Sequence, residues 1–264
     1  MALTSFRIAD LFAVTGKVAI VSGGSSGIGE MIALGFVQNG MKVYITARKA
    51  ERATAVARAL SVHGHCVAIP GDMNIADDRQ RLIDAGGAAE GRRDVLVNNA
   101  GAAWGAAFDT FPEAGYDKVM DTNVKAPFFL TQAALPLLAA AGSAGNPARV
   151  INVGSIDGIQ VPMAEQQNFA YGPSKAAIHH LTRVLAIRLA EQHITVNAIA
   201  PGPFPSRMME STLNEHQATI EGNCPLGRIG RTEDMAGLAV YLASPAATYL
   251  TGNVITVDGG IHLA

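Results

Sequence analysis

Seven short runs of mostly β-branched residues punctuate the chain, at 18–21, 43–45, 67–69, 95–97, 150–153, 194–199 and 254–257. Polar interruptions are few, which is how a strand reads when both of its faces are covered. Longer stretches with helical spacing lie between them, at 30–39, 51–61, 116–138, 173–192 and 232–243. Strands that alternate with helices require a parallel sheet, because a parallel neighbour is reached only through a crossover. The expected fold is α/β: a single Rossmann-like, doubly wound parallel sheet of about seven strands with helices on both faces, spanning 1–264. Ligands of such sheets bind beyond the carboxyl ends of the strands, so functional residues are sought just after each run.

Composition narrows the function classes. With 49% hydrophobic and 16% charged residues among 264, the chain can bury one large core. The net charge is −2 with scattered basic residues, which argues against a nucleic-acid partner. Cys66 and Cys224 form no CxxC pair, which fits a reducing cytoplasm. Residues 1–16 lack the apolar core of a signal peptide, and no run of about 18 apolar residues occurs, so neither export nor a membrane is expected. The least regular stretch, 201–224, reads as a mobile substrate lid.

Directly after the first strand stands Ser22-Gly23-Gly24-Ser25-Ser26-Gly27-Ile28-Gly29, followed at once by a helical pattern. Glycines there let the backbone approach a pyrophosphate, and the positive end of the next helix favours its charge. Gly23, Ser25, Ser26, Gly27, Ile28 and Gly29 are therefore candidate cofactor residues. Past the second strand no carboxylate is available for ribose hydroxyls, whereas Arg48, with Lys49 beside it, offers a cation for a 2′-phosphate. NADP(H) is favoured on that ground and NAD(H) stays open, since Arg48 also reads as a solvated strand-end charge. Asp72 with Met73 after the third strand, and Asn99-Ala100-Gly101 after the fourth, sit where a cofactor edge would lie; Asp72 also reads as an ordinary turn residue.

The ordered set of motifs resembles the short-chain dehydrogenase/reductases. Ser22 to Gly29 is similar to their TGxxxGIG turn, Asn98 to Gly101 is their NNAG, and Tyr171-Gly172-Pro173-Ser174-Lys175 matches YxxSK. Asn123, Ser155, Pro201-Gly202 and Asp258-Gly259-Gly260 follow in family order. Segments such as 99–107 and 200–208 are especially similar to bacterial β-ketoacyl reductases, those associated with rhamnolipid biosynthesis among them. Two departures stand out. Ser26 occupies a position where many NADP-preferring relatives have an arginine, and fifteen residues separate Ser155 from Tyr171, a few more than is commonest.

Tyr171 and Lys175 are four apart on one helical face, so the ammonium is expected to lower the phenol's pKa toward working pH. Ser155, at the end of the fifth strand, can steady charge on a substrate oxygen while Tyr171 donates the proton. The resemblance implies that Lys175 also holds the nicotinamide ribose, that Asn123 holds a proton-relaying water, and that Pro201 and Gly202 border the cofactor. Singly, each of these residues has a plain structural alternative. No HExxH or dense histidine cluster occurs, and adjacent His179 and His180 point apart on a helix, so no metal is expected. Trp104, Met163, Phe169, Phe204, Met208 and Met209 are candidates for an apolar substrate cleft.

The expected function is an NADPH-dependent carbonyl reductase acting on a 3-oxoacyl thioester or related apolar ketone. An NAD-dependent dehydrogenase of a secondary alcohol is an alternative, and a non-catalytic NADP(H)-sensing protein is an alternative of another class. Helical stretches 126–138 and 176–189 are too apolar for full exposure, which suggests a homotetramer or homodimer; the family commonly forms tetramers.

Overall fold

Each apolar run forms a strand in the computed structural model, which describes residues 6–161 and 167–263: β1 (Val18–Ser22), β2 (Lys42–Thr46), β3 (Cys66–Ala68), β4 (Val95–Asn98), β5 (Ala148–Val153), β6 (Ile194–Pro201) and β7 (Val254–Val257). All neighbours pair in parallel, in the order β3-β2-β1-β4-β5-β6-β7. The winding direction reverses between β1 and β4, which opens a crevice at their carboxyl ends. β1, β4, β5 and β6 are buried along their whole length, as strands covered on both faces must be.

The helices are α1 (Ile8–Leu11), α2 (Gly27–Gln38), α3 (Ala50–Leu60), α4 (Ala76–Glu90), α5 (Glu113–Met120), α6 (Ala126–Ala141), α7 (Tyr171–Leu189), α8 (Glu210–Asn223) and α9 (Thr232–Ala243). Ile32 and Phe36 of α2 join Met235 and Leu242 of α9 in one apolar layer on the sheet. Leu82 of α4, Leu130 and Leu138 of α6, and Ala186 and Leu189 of α7 form the other. Between them a polar ladder fixes β4, β5 and α7: Asn98 Nδ2 donates to Asn152 Oδ1 at 2.8 Å, and Asn152 Nδ2 donates to Thr182 Oγ1 at 2.9 Å.

Two features differ from the sequence expectation, and a third extends the helix expected at 116–138. Helix α4 was not legible, because Asp77, Asp78, Gly86 and Gly87 dilute its apolar period. The stretch 201–224 holds a regular 14-residue helix, α8, in which no residue is buried. Finally, 113–141 runs as one helix, α5 and α6 joined by a π turn at Asp121–Lys125, with the length and hydropathy of a membrane span. It packs against α4, α7, β4 and β5, which makes it a flanking helix of the sheet.

Candidate active site

The glycine-rich turn is locked to the end of β4. Ser22 Oγ accepts from the backbone N–H groups of Asn99 and Ala100 at 2.9 and 3.1 Å. Asn99 Nδ2 donates in return to the carbonyls of Ser22 and Gly23 at 2.9 and 3.1 Å. Gly23 adopts φ +66°, and a Cβ there would stand 2.8 Å from Asn99 Nδ2, so only glycine fits. A Cβ on Gly29 would collide with the same amide and with the Gly23 carbonyl. Ser26, the N-cap of α2, makes no side-chain cap. The first N–H groups of α2 therefore keep their hydrogen-bonding capacity at the positive end of the helix dipole.

Over this turn lies a cleft of about 420 Å³ that reaches the start of α7. Gly23, Ser25, Ser26, Gly27 and Ile28 form one wall, and Arg48 stands at its β2 end. Asp72, Met73, Asn99, Ala100 and Gly101 line the side, and Tyr171 and Lys175 the far end. A glycine-rich cradle, an uncapped helix start and a cation at the β2 edge fit a phosphorylated dinucleotide. Asp72 lines the cleft, and its Oδ1 accepts from Asn74 N at 3.0 Å in a local turn.

Some expected residues stand outside the cleft lining. Gly29 supports the turn from behind, and Lys49 is the exposed N-cap of α3. Pro201 ends β6, and Gly202 is pressed against Asp258, whose Cβ would be 2.6 Å from an added methyl. The lining residues delivered by that segment are Ser206, Arg207 and Met208, which sequence reasoning did not assign to the cofactor site.

Ser155 leaves β5 in extended conformation and caps the short turn Ile156–Gly158, its Oγ accepting from Asp157 N at 3.1 Å. Tyr171 opens α7. Burial pushes its phenol up to about 12, the nearby Asp157 carboxylate adds to that, and a hydrogen bond with Ser155 opposes it. The expectation of a phenol acidified by its lysine neighbour is thus corrected: desolvation prevails. Lys175 Nζ lies 5.4 Å from the Tyr171 ring centroid and donates to Val153 O at 2.9 Å. Burial brings its ammonium down to about 8, while Asp157 holds it up. Asp157, absent from the sequence reading, is itself raised by burial.

Asn123 sits at the centre of the π turn with its side chain fully engaged. Its Oδ1 accepts from Ala102 N at 2.8 Å, and its Nδ2 donates to Ala102 O and Ser174 Oγ, both at 2.9 Å. The side chain thereby braces the π turn against Ala102 and the first turn of α7. The backbone carbonyl is different, because the residue four further on is Pro127, which has no N–H to give. His179, one turn past Lys175, is buried, and burial, with the Lys175 charge adding to it, brings its imidazole down to about 4.

Among the pocket candidates, Met208 lines the cleft. Trp104 lies against Gly115, under Lys118 at 5.0 Å. Phe169 meets Phe108 and Phe111 edge-on at 5.3 and 5.9 Å. Met209 precedes α8, and Met163 lies outside the described residues. Phe204 is a correction: it is 2% exposed, its ring filling the space left by the missing side chain of Gly230.

The family described as enoyl-(acyl carrier protein) reductase matches residues 22–262. A Pseudomonas aeruginosa protein described as a rhamnolipids biosynthesis 3-oxoacyl-[acyl-carrier-protein] reductase is 51% identical over 96% of this chain and 98% of its own. PhomF of Diaporthe leptostromiformis, a short-chain dehydrogenase/reductase, is 36% identical over 97% of this chain and 94% of its own. The solved Pseudomonas aeruginosa RhlG/NADP active-site complex superposes with a TM-score of 0.91, at 50% identity over 96% of this chain and 98% of that one. Both the ordered motifs and the matched length lead to one conclusion: the chain belongs to the short-chain dehydrogenase/reductase family.

Proposed function

We propose that the protein is an NADPH-dependent carbonyl reductase whose substrate is a 3-oxoacyl thioester or a related apolar ketone. The observation that carries this reading is the placing of Tyr171 and Lys175 at the end of a cleft that begins on the glycine cradle, with Ser155 hydrogen-bonded to Tyr171 behind the lining. The Pseudomonas relative supports the substrate class, and the NADP complex of the solved relative supports the cofactor.

A bound nicotinamide supplies hydride. Ser155 donates to the substrate oxygen and steadies the charge growing there. Tyr171, held protonated by burial, delivers its proton to that oxygen. Lys175 keeps a positive charge beside the emptied phenolate and offers the proton that refills it. The Asn123 carbonyl, deprived of an N–H from Pro127, holds the solvent end of this path. The exposed rings of Phe108 and Phe169, packed edge-on, offer an apolar surface suited to an acyl chain. Residues 201–224 act as the lid of a single domain. Exposed Phe128, Phe129, Val184 and Ile187 on α6 and α7 are the faces through which a homotetramer or homodimer assembles, in the cytoplasm.

The test is oxidation of both reduced nicotinamides against acetoacetyl thioesters, simple ketones and sugars. Turnover of the thioester with NADPH, faster than with NADH, is the expected result. NADPH binding without turnover on any carbonyl would instead make the protein a nucleotide sensor.

Reduction is expected to decline as pH rises through about 8, where Lys175 loses its proton. Because Asp157 sustains that proton, Asp157→Asn should move the alkaline limb of kcat/KM to lower pH by roughly one unit. An unmoved limb would show that another group sets it.

A further inference from the structure

Position 26 contributes only a hydroxyl to the phosphate turn, yet a guanidinium reaches the turn from elsewhere in the fold. Arg52, in the first turn of α3, donates from Nε to the Ser25 carbonyl at 2.8 Å. That bond fixes the plane of the guanidinium against the outer side of the turn whose Ser25 and Ser26 line the cleft. Its two terminal nitrogens have no hydrogen bond or ion pair with any described residue. Arg48, which lines the cleft beside Ser25 and Ser26 while Arg52 stands behind the turn, likewise has no ion pair among the described residues.

The charge pattern is unusual for a helix start. Arg48, Lys49 and Arg52 gather at the amino end of α3, where the helix dipole is already positive and Glu51 is the one first-turn acid. Cations placed there oppose the dipole and one another, so the arrangement costs stability unless an anion offsets it. Lys49, the N-cap, provides no side-chain cap either.

We infer that Arg52 is a specificity-determining residue for the cofactor: with Arg48 it clamps the 2′-phosphate of NADP(H), doing from α3 what the serine at position 26 cannot. This rests on the NADPH reading above and adds a second arm to it. A fork anchored through Nε keeps both terminal donors parallel, the geometry that suits two phosphate oxygens. Ordering by Ser25 also removes rotamer freedom before the ligand arrives.

The test is calorimetric titration of the intact protein with 2′,5′-ADP and with 5′-AMP, which differ at the 2′-phosphate and need no turnover. Wild type is expected to prefer 2′,5′-ADP at least about tenfold. Arg52→Ala should lose about tenfold or more for 2′,5′-ADP while 5′-AMP stays within about twofold, and Arg48→Ala should behave alike. Arg52→Lys, which keeps the charge without the fork, should fall between. Adding Ser26→Arg to Arg52→Ala should recover the preference by returning a cation to the turn. Equal losses for the two ligands would show that Arg52 merely shapes the turn, and retained preference in Arg52→Ala would overturn its assignment while leaving the cofactor reading intact. No preference in wild type would sink both.

Discussion

Tyr171→Phe is expected to lower kcat for carbonyl reduction by about 10² to 10⁴-fold while leaving cofactor affinity within about twofold. The substitution removes one oxygen and keeps the ring that lines the cleft. What is lost is the proton. A phenol near 12 is a poor acid against water, but its partner in the reaction is an oxygen becoming an alkoxide. Such an oxygen is about as basic as hydroxide, so the transfer runs downhill by roughly four pKa units. Raised acidity is therefore unnecessary for reduction, and the high value keeps the donor loaded across the physiological range. The reverse reaction needs the phenolate, and burial works against it unless cations close by compensate. Steady-state assays at saturating NADPH, with binding followed by cofactor fluorescence, separate the two effects. Turnover above about one hundredth of wild type would shift the donor role to Ser155 or Asp157.

Gly29→Ala should be nearly as damaging for a different reason. The added methyl would land on the Gly23 carbonyl and the Asn99 amide, the two groups whose hydrogen bond ties the phosphate turn to β4. Relief requires the turn to open, at a cost of about 1–3 kcal/mol for an overfilled site. NADPH affinity is expected to fall about ten- to hundredfold, with a melting temperature lower by about 2–10 °C. Gly145→Ala, where nothing lies within 4 Å of the new methyl, is the matched control and should change neither. Unchanged NADPH binding in the Gly29 variant would mean that the turn is held by something other than Asn99.

Sequence alone revealed the sheet because its signal is dense. Val18, Ile20, Val95 and Val97 are completely enclosed, so each position had to be apolar, and strand ends fell within two residues of the runs. Helix α8 escaped for the opposite reason, since a helix with no buried residue leaves no apolar stripe to find. Tyr171 and Lys175 were legible from their four-residue spacing, which is local. Arg52 was not, because its contact with Ser25 spans 27 positions and depends on how α3 leans toward the turn. The phenol's pKa was misjudged because spacing reports a neighbouring charge and says nothing of how much water has been excluded. Asp157 was missed on similar grounds: a residue two past Ser155 reads as loop until the fold turns it toward Lys175 and Tyr171.

The exposure of α8 has a consequence for how such enzymes diversify. A segment that buries nothing between its ends, docked through Ser206 against Gly27 and through Cys224 against Gly259, can exchange side chains with little penalty to the sheet. Tyr171, Lys175 and the glycine cradle are held by β1, β4, β5 and α7, elements that this segment does not build, and its own share of the cleft is limited to Ser206, Arg207 and Met208. Mutation can therefore vary the surface of α8 while the elements that hold the cleft stay under separate, stricter selection.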